Sequence, residues 1–255
     1  MNFIEKRINL FDLPMDPLSM EETLLSCEQI IESRSGPKQH MVVNAAKVVK
    51  CKNDPWLKKS VIQSDLINID GQSVVWAARL LGFSVPERVA GIDLMMRLIE
   101  KAQDKKWPVY FLGAKSNVLE MMIKSLKRRY PELKIAGFDH GYFNSEEEIV
   151  KNISRSGAKI LFVGMPTPKK EIFVEKNLKK LNVPFCMGVG GSFDVIAGIV
   201  QRAPVWIQKL GLEWFYRLIQ EPRRLFMRYA VTNTIFISYV LLEWFKVKKR
   251  QLMRK

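Results

Sequence analysis

An aspartate at the end of an apolar run is the clearest candidate for acid–base chemistry in this sequence. Asp70 lies near the end of the run Leu66–Gly71, and the glycine after it lets the chain leave a sheet while the carboxylate enters a cleft. A carboxylate placed there can deprotonate an acceptor hydroxyl, as a sugar transfer with inversion of configuration requires. An isolated Asp-Gly pair is more often an Asx turn or a helix cap, so both interpretations stay open.

Two other segments offer groups that bind phosphate. Arg88, in the segment PERVAGIDL, stands at a predicted loop end, where its guanidinium can hold a diphosphate bidentately or form a surface ion pair. Asp93, in the same segment, is predicted to cap the helix Leu94–Lys101. The glycines of Gly188–Asp194 follow a predicted strand and precede the helical residues Val195–Val200, so backbone amides can approach a phosphate there. A tight structural turn is the alternative, because the segment is neither a GxGxxG fingerprint nor a Walker A loop.

Metal and disulfide chemistry find little support in the sequence. It contains no Asp-x-Asp pair, and its two histidines, His40 and His140, belong to no Cys/His cluster, so we predict no metal and no other cofactor. The three cysteines, Cys27, Cys51 and Cys186, form no CxxC pair. Their odd number predicts free thiols in a reducing compartment such as the cytoplasm.

The candidate residues need a parallel sheet to hold them, and the apolar pattern predicts one. Five short apolar runs end in glycine or another small residue, at 40–46, 66–71, 109–113, 159–164 and 184–188. Longer helical patterns separate these runs, as in a parallel sheet with helices on its faces. The clearest unit runs from Val109 to Phe138, and its helix Val118–Arg129 has Ser116 or Asn117 as a candidate cap.

The carboxyl ends of these strands locate the predicted site. In α/β sheets, ligands bind in the crevice beyond those ends. The residues at the predicted ends are Asn44, Asp70, Gly113, Gly164 and Gly188. We therefore expect these residues to border one cleft.

The chain changes character after Pro204, which predicts an α/β core, residues 1–204, and a helical appendage, residues 205–255. Trp206–Ile219 has apolar residues at helical spacing, and Pro222 suits the first turn of another helix. The net charge is +15, and the residues from 201 onward carry twelve Lys or Arg against three Glu, a surplus of +9. Such a surplus implies phosphate, nucleic acid or anionic lipid as a partner, unless it only keeps the surface soluble.

The appendage contains fourteen consecutive uncharged residues, Tyr229–Leu242, with basic residues on both sides. Because a spanning helix needs about 20 apolar residues, we predict that this segment either lies on a membrane surface or packs as a core helix. At the other end of the chain, Met1–Leu13 lacks the long apolar core of a signal peptide.

Eight segments, in order and at similar separations, resemble the WecG/TagA/CpsF family of bacterial glycosyltransferases from about Asn9 to Tyr229. They are VVNAAKVV, DGQSVVWAARLLG, PERVAGIDL, FLGAK, LKIAGFDHGYF, VGMPTPKKE, GVGGSFDVIAGIVQRAP and LGLEWFYRLIQEPRR. The resemblance implies a Rossmann-like α/β core with a C-terminal helical, membrane-associating appendage. It also implies an inverting, metal-independent transfer of N-acetylmannosamine, its uronate or a related hexose from a UDP-sugar to an undecaprenyl-diphosphate-linked acceptor.

The same resemblance implies a cellular setting. The acceptor lies in the cytoplasmic leaflet, so the protein is expected in the cytoplasm, held peripherally on the inner face of the bacterial membrane. Its product would enter cell-surface polysaccharide or teichoic acid synthesis. The resemblance also suggests self-association, so a homo-oligomer is among the expected partners.

Residue roles follow from the resemblance position by position. Asp70 matches the catalytic base, Asn44 a polar residue near the sugars, and Arg88 a phosphate-binding arginine. The arginines matching an appendage set that meets the lipid diphosphate are Arg217, Arg223, Arg224 and Arg228. The other residues expected to line the substrate are Asp93, Gly113, Gly164, Lys170, Glu171, Gly188, Gly190, Gly191 and Asp194.

Two positions depart from the family's pattern. Val42 stands where Thr is common, and Lys170 stands where Gln is common, just before Glu171. We hypothesise that Lys170 pairs with an acidic group of the donor or with its diphosphate. The alternative is that Lys170 points to solvent.

Two other functions compete with glycosyl transfer. A nucleic-acid-binding module without catalysis fits the pI of about 9.7, but no helix-turn-helix, zinc finger or RNP motif is visible. A nucleotide-dependent oxidoreductase would need a GxGxxG after the first strand, which is missing. We therefore expect UDP-sugar, lipid-linked acceptor and anionic membrane as partners, with no nucleic acid. We also predict that a deletion after Pro204 releases the protein from membranes and impairs turnover.

Overall fold

A six-stranded parallel sheet forms the centre of the computed structural model, which describes residues 7–33 and 35–252. A short antiparallel hairpin of β1 (Ile8–Leu10) and β2 (Leu13–Met15) precedes it. The strands of the sheet are β3 (Lys38–Val43), β4 (Leu66–Ile69), β5 (Val109–Gly113), β6 (Ile135–Asp139), β7 (Ile160–Gly164) and β8 (Phe185–Gly188). They lie in the order β4-β3-β8-β7-β5-β6. The predicted Rossmann-like parallel sheet is confirmed.

Helices cover both faces of the sheet. They are α1 (Met20–Glu32), α2 (Ala45–Asn53), α3 (Pro55–Ile62), α4 (Gln72–Leu80), α5 (Gly91–Asp104), α6 (Ser116–Arg129), α7 (Glu146–Arg155), α8 (Lys169–Leu181), α9 (Ser192–Ile196), α10 (Val205–Lys209), α11 (Glu213–Gln220) and α12 (Pro222–Leu252). Successive strand residues point to opposite faces. On β7, Phe162 therefore packs with the cluster that includes α5 and α6, and Leu161 packs with the cluster that includes α7 and α8.

Several predicted helix ends were wrong, and at α5 a tertiary contact between the Gly91 amide and the Asp70 carboxylate sets the start of the helix. Helix α6 starts at Ser116 after Lys115, so neither Ser116 nor Asn117 caps it. Helix α5 starts at Gly91, which places Asp93 in its first turn rather than at its cap. Helix α9 occupies Ser192–Ile196 instead of residues 195–200.

The region predicted as helical over Trp206–Ile219 contains two helices, α10 and α11. The break falls at Gly211, whose φ of +73° favours glycine. A Cβ there would lie 2.5 Å from the side chain of Gln72 at the start of α4. The break therefore lets the appendage approach the carboxyl edge of β4.

Helix α12 begins at Pro222 as predicted and is longer than the uncharged run suggested. Its stretch Leu225–Lys249 is long and apolar enough to cross a membrane by length and composition, with a mean hydropathy of 1.4. The helix extends beyond both ends of the fourteen uncharged residues and includes the charged residues Arg228 and Glu243 that border them. Only 17% of the most apolar segment of α12 is buried. The alternative that α12 is a core helix therefore applies only to the one stripe of side chains that packs on the fold.

That stripe attaches α12 to the rest of the fold. Phe236 is 4% exposed, and its ring packs edge-on against Phe11 at 5.3 Å. Tyr239 and Trp244 join the same apolar cluster, which includes residues of α2, α3 and α4. The opposite side of α12 leaves Leu241 and other large apolar residues exposed.

Two smaller predictions concern the cysteines and the N-terminus. Cys27, Cys51 and Cys186 are buried and free, which confirms the absence of disulfides among them. The prediction about a signal peptide rests partly on residues 1–6, which lie outside the described residues.

Candidate active site

Asn44 and Asp70 lie side by side where two neighbouring strands end. Strands β3 and β4 pair in parallel, with Val43 opposite Ile69, and the Asp70 amide donates to the Val43 carbonyl at 2.9 Å. A Cβ on Gly71 would lie 3.2 Å from the Asn44 Cβ. The strand-end prediction is confirmed for this pair of residues.

The Asp70 carboxylate is half-buried and points to the start of a distant helix. Its Oδ2 accepts a hydrogen bond from the Gly91 amide, the first of α5, at 3.2 Å. Helix α4, which directly follows Asp70, begins after Gly71 without a side-chain cap. Asp70 therefore does not cap α4, and the helix-cap alternative holds instead for α5, whose first amide donates to its carboxylate. Val42 lies on the same side, since a Cβ on Gly91 would be 3.7 Å from both Val42 and Asp70 Oδ2.

Charged neighbours tune the acidity of Asp70. Burial raises the pKa of its carboxyl group, and the Glu213 carboxylate raises it further. The positive charges of Arg88 and Arg217 and the Gly91 amide lower the pKa in part. The outcome is a carboxylate with a raised pKa, which is a stronger base than an exposed aspartate.

Arg88 belongs to an ion-pair network between the core and the appendage. Its Nη1 and Nη2 atoms each lie 3.2 Å from Oε2 of Glu213, the first residue of α11. The other Glu213 oxygen lies 3.5 Å from Nε of Arg202. Arg202 also donates two hydrogen bonds, of 2.5 and 2.7 Å, to the Asp93 carboxylate. Arg88 and Asp93, both predicted to bind substrate, are therefore engaged by protein groups in this structure.

A second buried cluster lies beyond Asn44 along the same edge. Asn44 caps α2, and its Oδ1 accepts from the Lys47 amide at 3.0 Å. The Lys47 and Lys170 ammonium groups lie 2.9 and 2.8 Å from the same oxygen of Glu171, Oε1. Lys170 is 7% exposed, so the alternative that it points to solvent is wrong.

The glycines at the strand ends have packing reasons for their identity. A Cβ on Gly113 would lie 2.5 Å from the Gly164 backbone, and a Cβ on Gly164 would lie 2.5 Å from the Phe193 ring. Strands β5 and β7 pair at these two glycines. They shape the floor of the edge, and their predicted contact with substrate stays a prediction.

The loop after β8 lies against Lys170. A Cβ on Gly188 would be 3.0 Å from Lys170 Cδ, and a Cβ on Gly190 would be 3.9 Å from its Nζ. Gly190 has a φ of +54°, which favours glycine, and Gly191 is the residue before α9. Asp194, in the first turn of α9, lies close to Gly191. The predicted phosphate loop and Lys170 are thus neighbours.

The four appendage arginines do not behave as one set. Arg217 on α11 is close enough to lower the pKa of Asp70. Arg223 and Arg228 are exposed on α12, and neither forms a hydrogen bond or ion pair within the described part of the chain. The backbone of Arg224 lies in the same helix, and its side chain is outside what the structure describes.

Three residues of the site were missed at the sequence level, namely Lys47, Arg202 and Glu213. Each lies inside a segment that carries the family resemblance, VVNAAKVV, GIVQRAP or LGLEWF. The only local signal was Lys47, which follows Asn44 by three residues and therefore falls on the same side of a helix start. Among residues 7–33 and 35–252, no three His, Cys, Asp or Glu side chains cluster as a metal site requires. The absence of a metal stays a prediction.

The chain is similar to known proteins along most of its length. Residues 8–250 match the profile of the Glycosyl transferase WecG/TagA/CpsF family. A Bacillus spizizenii protein is 36% identical over 171 residues, 67% of this chain and 66% of the relative. A Bacillus subtilis protein is 37% identical over 161 residues, 63% of each chain. Both are named N-acetylglucosaminyldiphosphoundecaprenol N-acetyl-beta-D-mannosaminyltransferase, and the match spans just under two thirds of either relative.

Proposed function

We propose, from the premise that this chain belongs to the WecG/TagA/CpsF family of glycosyl transferases, that it transfers a sugar from a UDP-sugar to a polyprenyl-diphosphate-linked acceptor. The observation that carries the proposal is the half-buried Asp70 carboxylate, with a raised pKa and with Arg88 and Arg217 beside it. A base and cations in one cleft suit a reaction that removes a proton and releases an anion. The family match favours glycosyl transfer over the nucleic-acid-binding alternative, which we do not propose.

In the proposed reaction, Asp70 acts as the general base. Its carboxylate accepts the proton of the acceptor hydroxyl while the hydroxyl oxygen attacks the anomeric carbon of the donor. The bond between that carbon and the diphosphate oxygen breaks on the opposite face, so the configuration inverts. The Gly91 amide holds Oδ2 at 3.2 Å and leaves Oδ1 to receive the proton.

Fixed positive groups stabilise the leaving UDP in this proposal, without a metal ion. Arg88 and Arg217 lie on the Asp70 side of the cleft, and Lys170 lies under the glycine loop at the end of β8. Such groups stabilise developing negative charge because their orientation is set before the reaction. Glu213 occupies Arg88 in this structure, so the diphosphate must displace that carboxylate or bind beside it.

The acceptor and the membrane setting follow from the relatives and from the appendage. Both relatives are named for N-acetylglucosaminyldiphosphoundecaprenol and for the transfer of an N-acetyl-beta-D-mannosaminyl group. We therefore propose a lipid-linked N-acetylhexosamine as acceptor and N-acetylmannosamine, its uronate or a related hexose as donor sugar. Helix α12 leaves a long apolar side exposed and packs its other side on α2. We therefore place α12 along the inner membrane surface rather than across the bilayer.

A UDP-release assay tests this function. Purified full-length protein is incubated with a panel of UDP-sugars and a prenyl-diphosphate-linked N-acetylhexosamine, with and without EDTA. We expect release that needs both substrates and persists in EDTA. Asp70→Asn, whose amide oxygen can still accept from Gly91, should lower kcat by about 10²- to 10⁴-fold at unchanged folding stability. Release that is absent for every donor, or equal in Asp70→Asn, contradicts the proposal.

A further inference from the structure

We infer that Lys170 binds an anionic oxygen of the donor, on its diphosphate or on a sugar carboxylate. The inference rests on the proposed function and goes further, because it assigns one donor-binding role to one residue and lets the experiment decide which oxygen that residue binds. The observation behind it is a buried cluster with more positive than negative charge. The cluster consists of Lys47, Glu171 and Lys170.

The charges of this cluster do not balance. The side chains of Lys47, Glu171 and Lys170 are 5%, 1% and 8% exposed, so water screens them little. Both ammonium groups lie on Glu171 Oε1, which also accepts from the Thr167 hydroxyl at 2.9 Å. One carboxylate neutralises one lysine, and a second buried ammonium without its own counter-ion is costly. Burial and the Lys47 charge accordingly lower the pKa of Lys170 to about 8.

The surplus charge lies against the glycine loop. The stem of Lys170 passes beside Gly188, and its Nζ would be 3.9 Å from a Cβ on Gly190. The amides of Gly190 and Gly191 donate to no acceptor among the described residues. Two unpaired N–H groups and the Lys170 ammonium therefore lie near one another at the end of β8, and donors of these kinds bind oxyanions.

The same cluster is linked to the proposed base. Lys47 donates its amide to Asn44, and Asn44 lies against Gly71, the residue after Asp70. The base and the surplus cation therefore border one edge of the sheet. An anion bound at Lys170 would belong to the substrate that reacts at this edge.

Two parts of the donor offer an anionic oxygen. One is the diphosphate, which every UDP-sugar carries. The other is a carboxylate on the sugar, which only a hexuronate carries. Both supply the charge that the cluster lacks, and the experiment distinguishes them.

The experiment measures equilibrium binding of three probes to the full-length protein. The probes are UDP, UDP-N-acetylmannosamine and its uronate, each titrated against wild type, Lys170→Gln and Lys170→Met. Lys169→Met is the matched control, because Lys169 is the exposed neighbour on the same helix. We expect Lys170→Gln and Lys170→Met to lose roughly 10- to 100-fold in affinity, the range for a hydrogen bond to a charged group.

The pattern of losses assigns the oxygen. An equal loss for all three probes identifies the diphosphate, and a loss confined to the uronate identifies the sugar carboxylate. Unchanged affinity for every probe in both folded Lys170 variants, or an equal loss in Lys169→Met, overturns the inference. A wild-type protein that binds none of the probes instead contradicts the proposed function itself.

Discussion

Removing the surplus buried charge should stabilise the protein, and Lys170→Met provides the test. Lys170 shares Glu171 with Lys47, so the substitution leaves Glu171 one cation partner and the Thr167 hydroxyl. Methionine fills a similar volume without a charge. Breaking a buried ion pair is usually costly because one charge is left without a partner. Lys170→Met leaves no such charge, since Glu171 and Lys47 still pair with each other. Lys50 also faces the cluster, through its hydrogen bond to the Thr167 carbonyl.

The magnitude follows from the pKa of Lys170. That pKa falls from 10.5 to about 8 on folding, chiefly by burial and by the Lys47 charge. Since each pKa unit corresponds to 1.36 kcal/mol, the protonated lysine destabilises the fold by about 3 kcal/mol at pH 7. Between the two pKa values the unfolded chain holds a proton that the folded chain has released. The wild-type free energy of unfolding should therefore rise with pH in that window.

Urea unfolding from pH 6 to pH 10 measures the difference. At pH 7 we expect Lys170→Met to exceed wild type by up to about 3 kcal/mol, and by pH 10 the gap should fall below about 1 kcal/mol. Lys169→Met should follow the wild-type curve throughout. A Lys170→Met protein less stable than wild type at pH 7, or a gap that does not change with pH, refutes the reasoning about surplus charge.

Three further predictions concern the base, the sheet and the membrane. The Glu213 charge raises the pKa of Asp70, so Glu213→Gln should lower that pKa and shift the acidic limb of the kcat/KM profile to lower pH. A steady-state pH series measures the limb, and an unmoved limb contradicts the prediction. Gly164→Ala should destabilise the fold by about 1–3 kcal/mol in urea unfolding, because its Cβ would lie 2.5 Å from the buried Phe193 ring, and an unchanged midpoint is the opposing result. Leu241 is 49% exposed on α12, so Leu241→Asp should lower the affinity for anionic vesicles, measured by co-sedimentation, by about tenfold or more at unchanged stability. Undiminished co-sedimentation argues against docking by the exposed side of α12.

The strands of the sheet were predictable because burial on both faces leaves a plain signal. Val109–Gly113 was predicted at both ends, and the other runs were right to within a few residues. The strand predicted as 40–46 ends at Val43, because Asn44 already caps α2. Helix starts were harder to predict. Helix α5 begins at Gly91, whose amide donates a hydrogen bond to the Asp70 carboxylate at the end of β4. The sequence around Gly91 contains no local signal for this contact.

The position of a site residue could be predicted where that residue directly follows a strand. Its ion-pair partner could not be predicted where the partner lies far away in the sequence. Asp70 and Asn44 follow adjacent strands, so the sheet topology alone brings them together. Glu213 contacts Arg88, which lies 125 positions earlier in the chain, and Lys47 on α2 contacts Glu171 on α8. Pairings at such distances depend on how the helices pack, which a local pattern of charges does not encode.

The appendage is part of the folded core as well as of the site, and this decides how its membrane role must be tested. A deletion after Pro204 would remove Phe236 from its contact with Phe11 and would expose the apolar cluster around it. It would also remove Glu213 and Arg217, which act in opposite directions on the pKa of Asp70. Loss of activity in the truncated protein would follow from any of these changes. Substitutions on the outward side of α12 leave the core and the base intact, so they separate membrane docking from folding and catalysis.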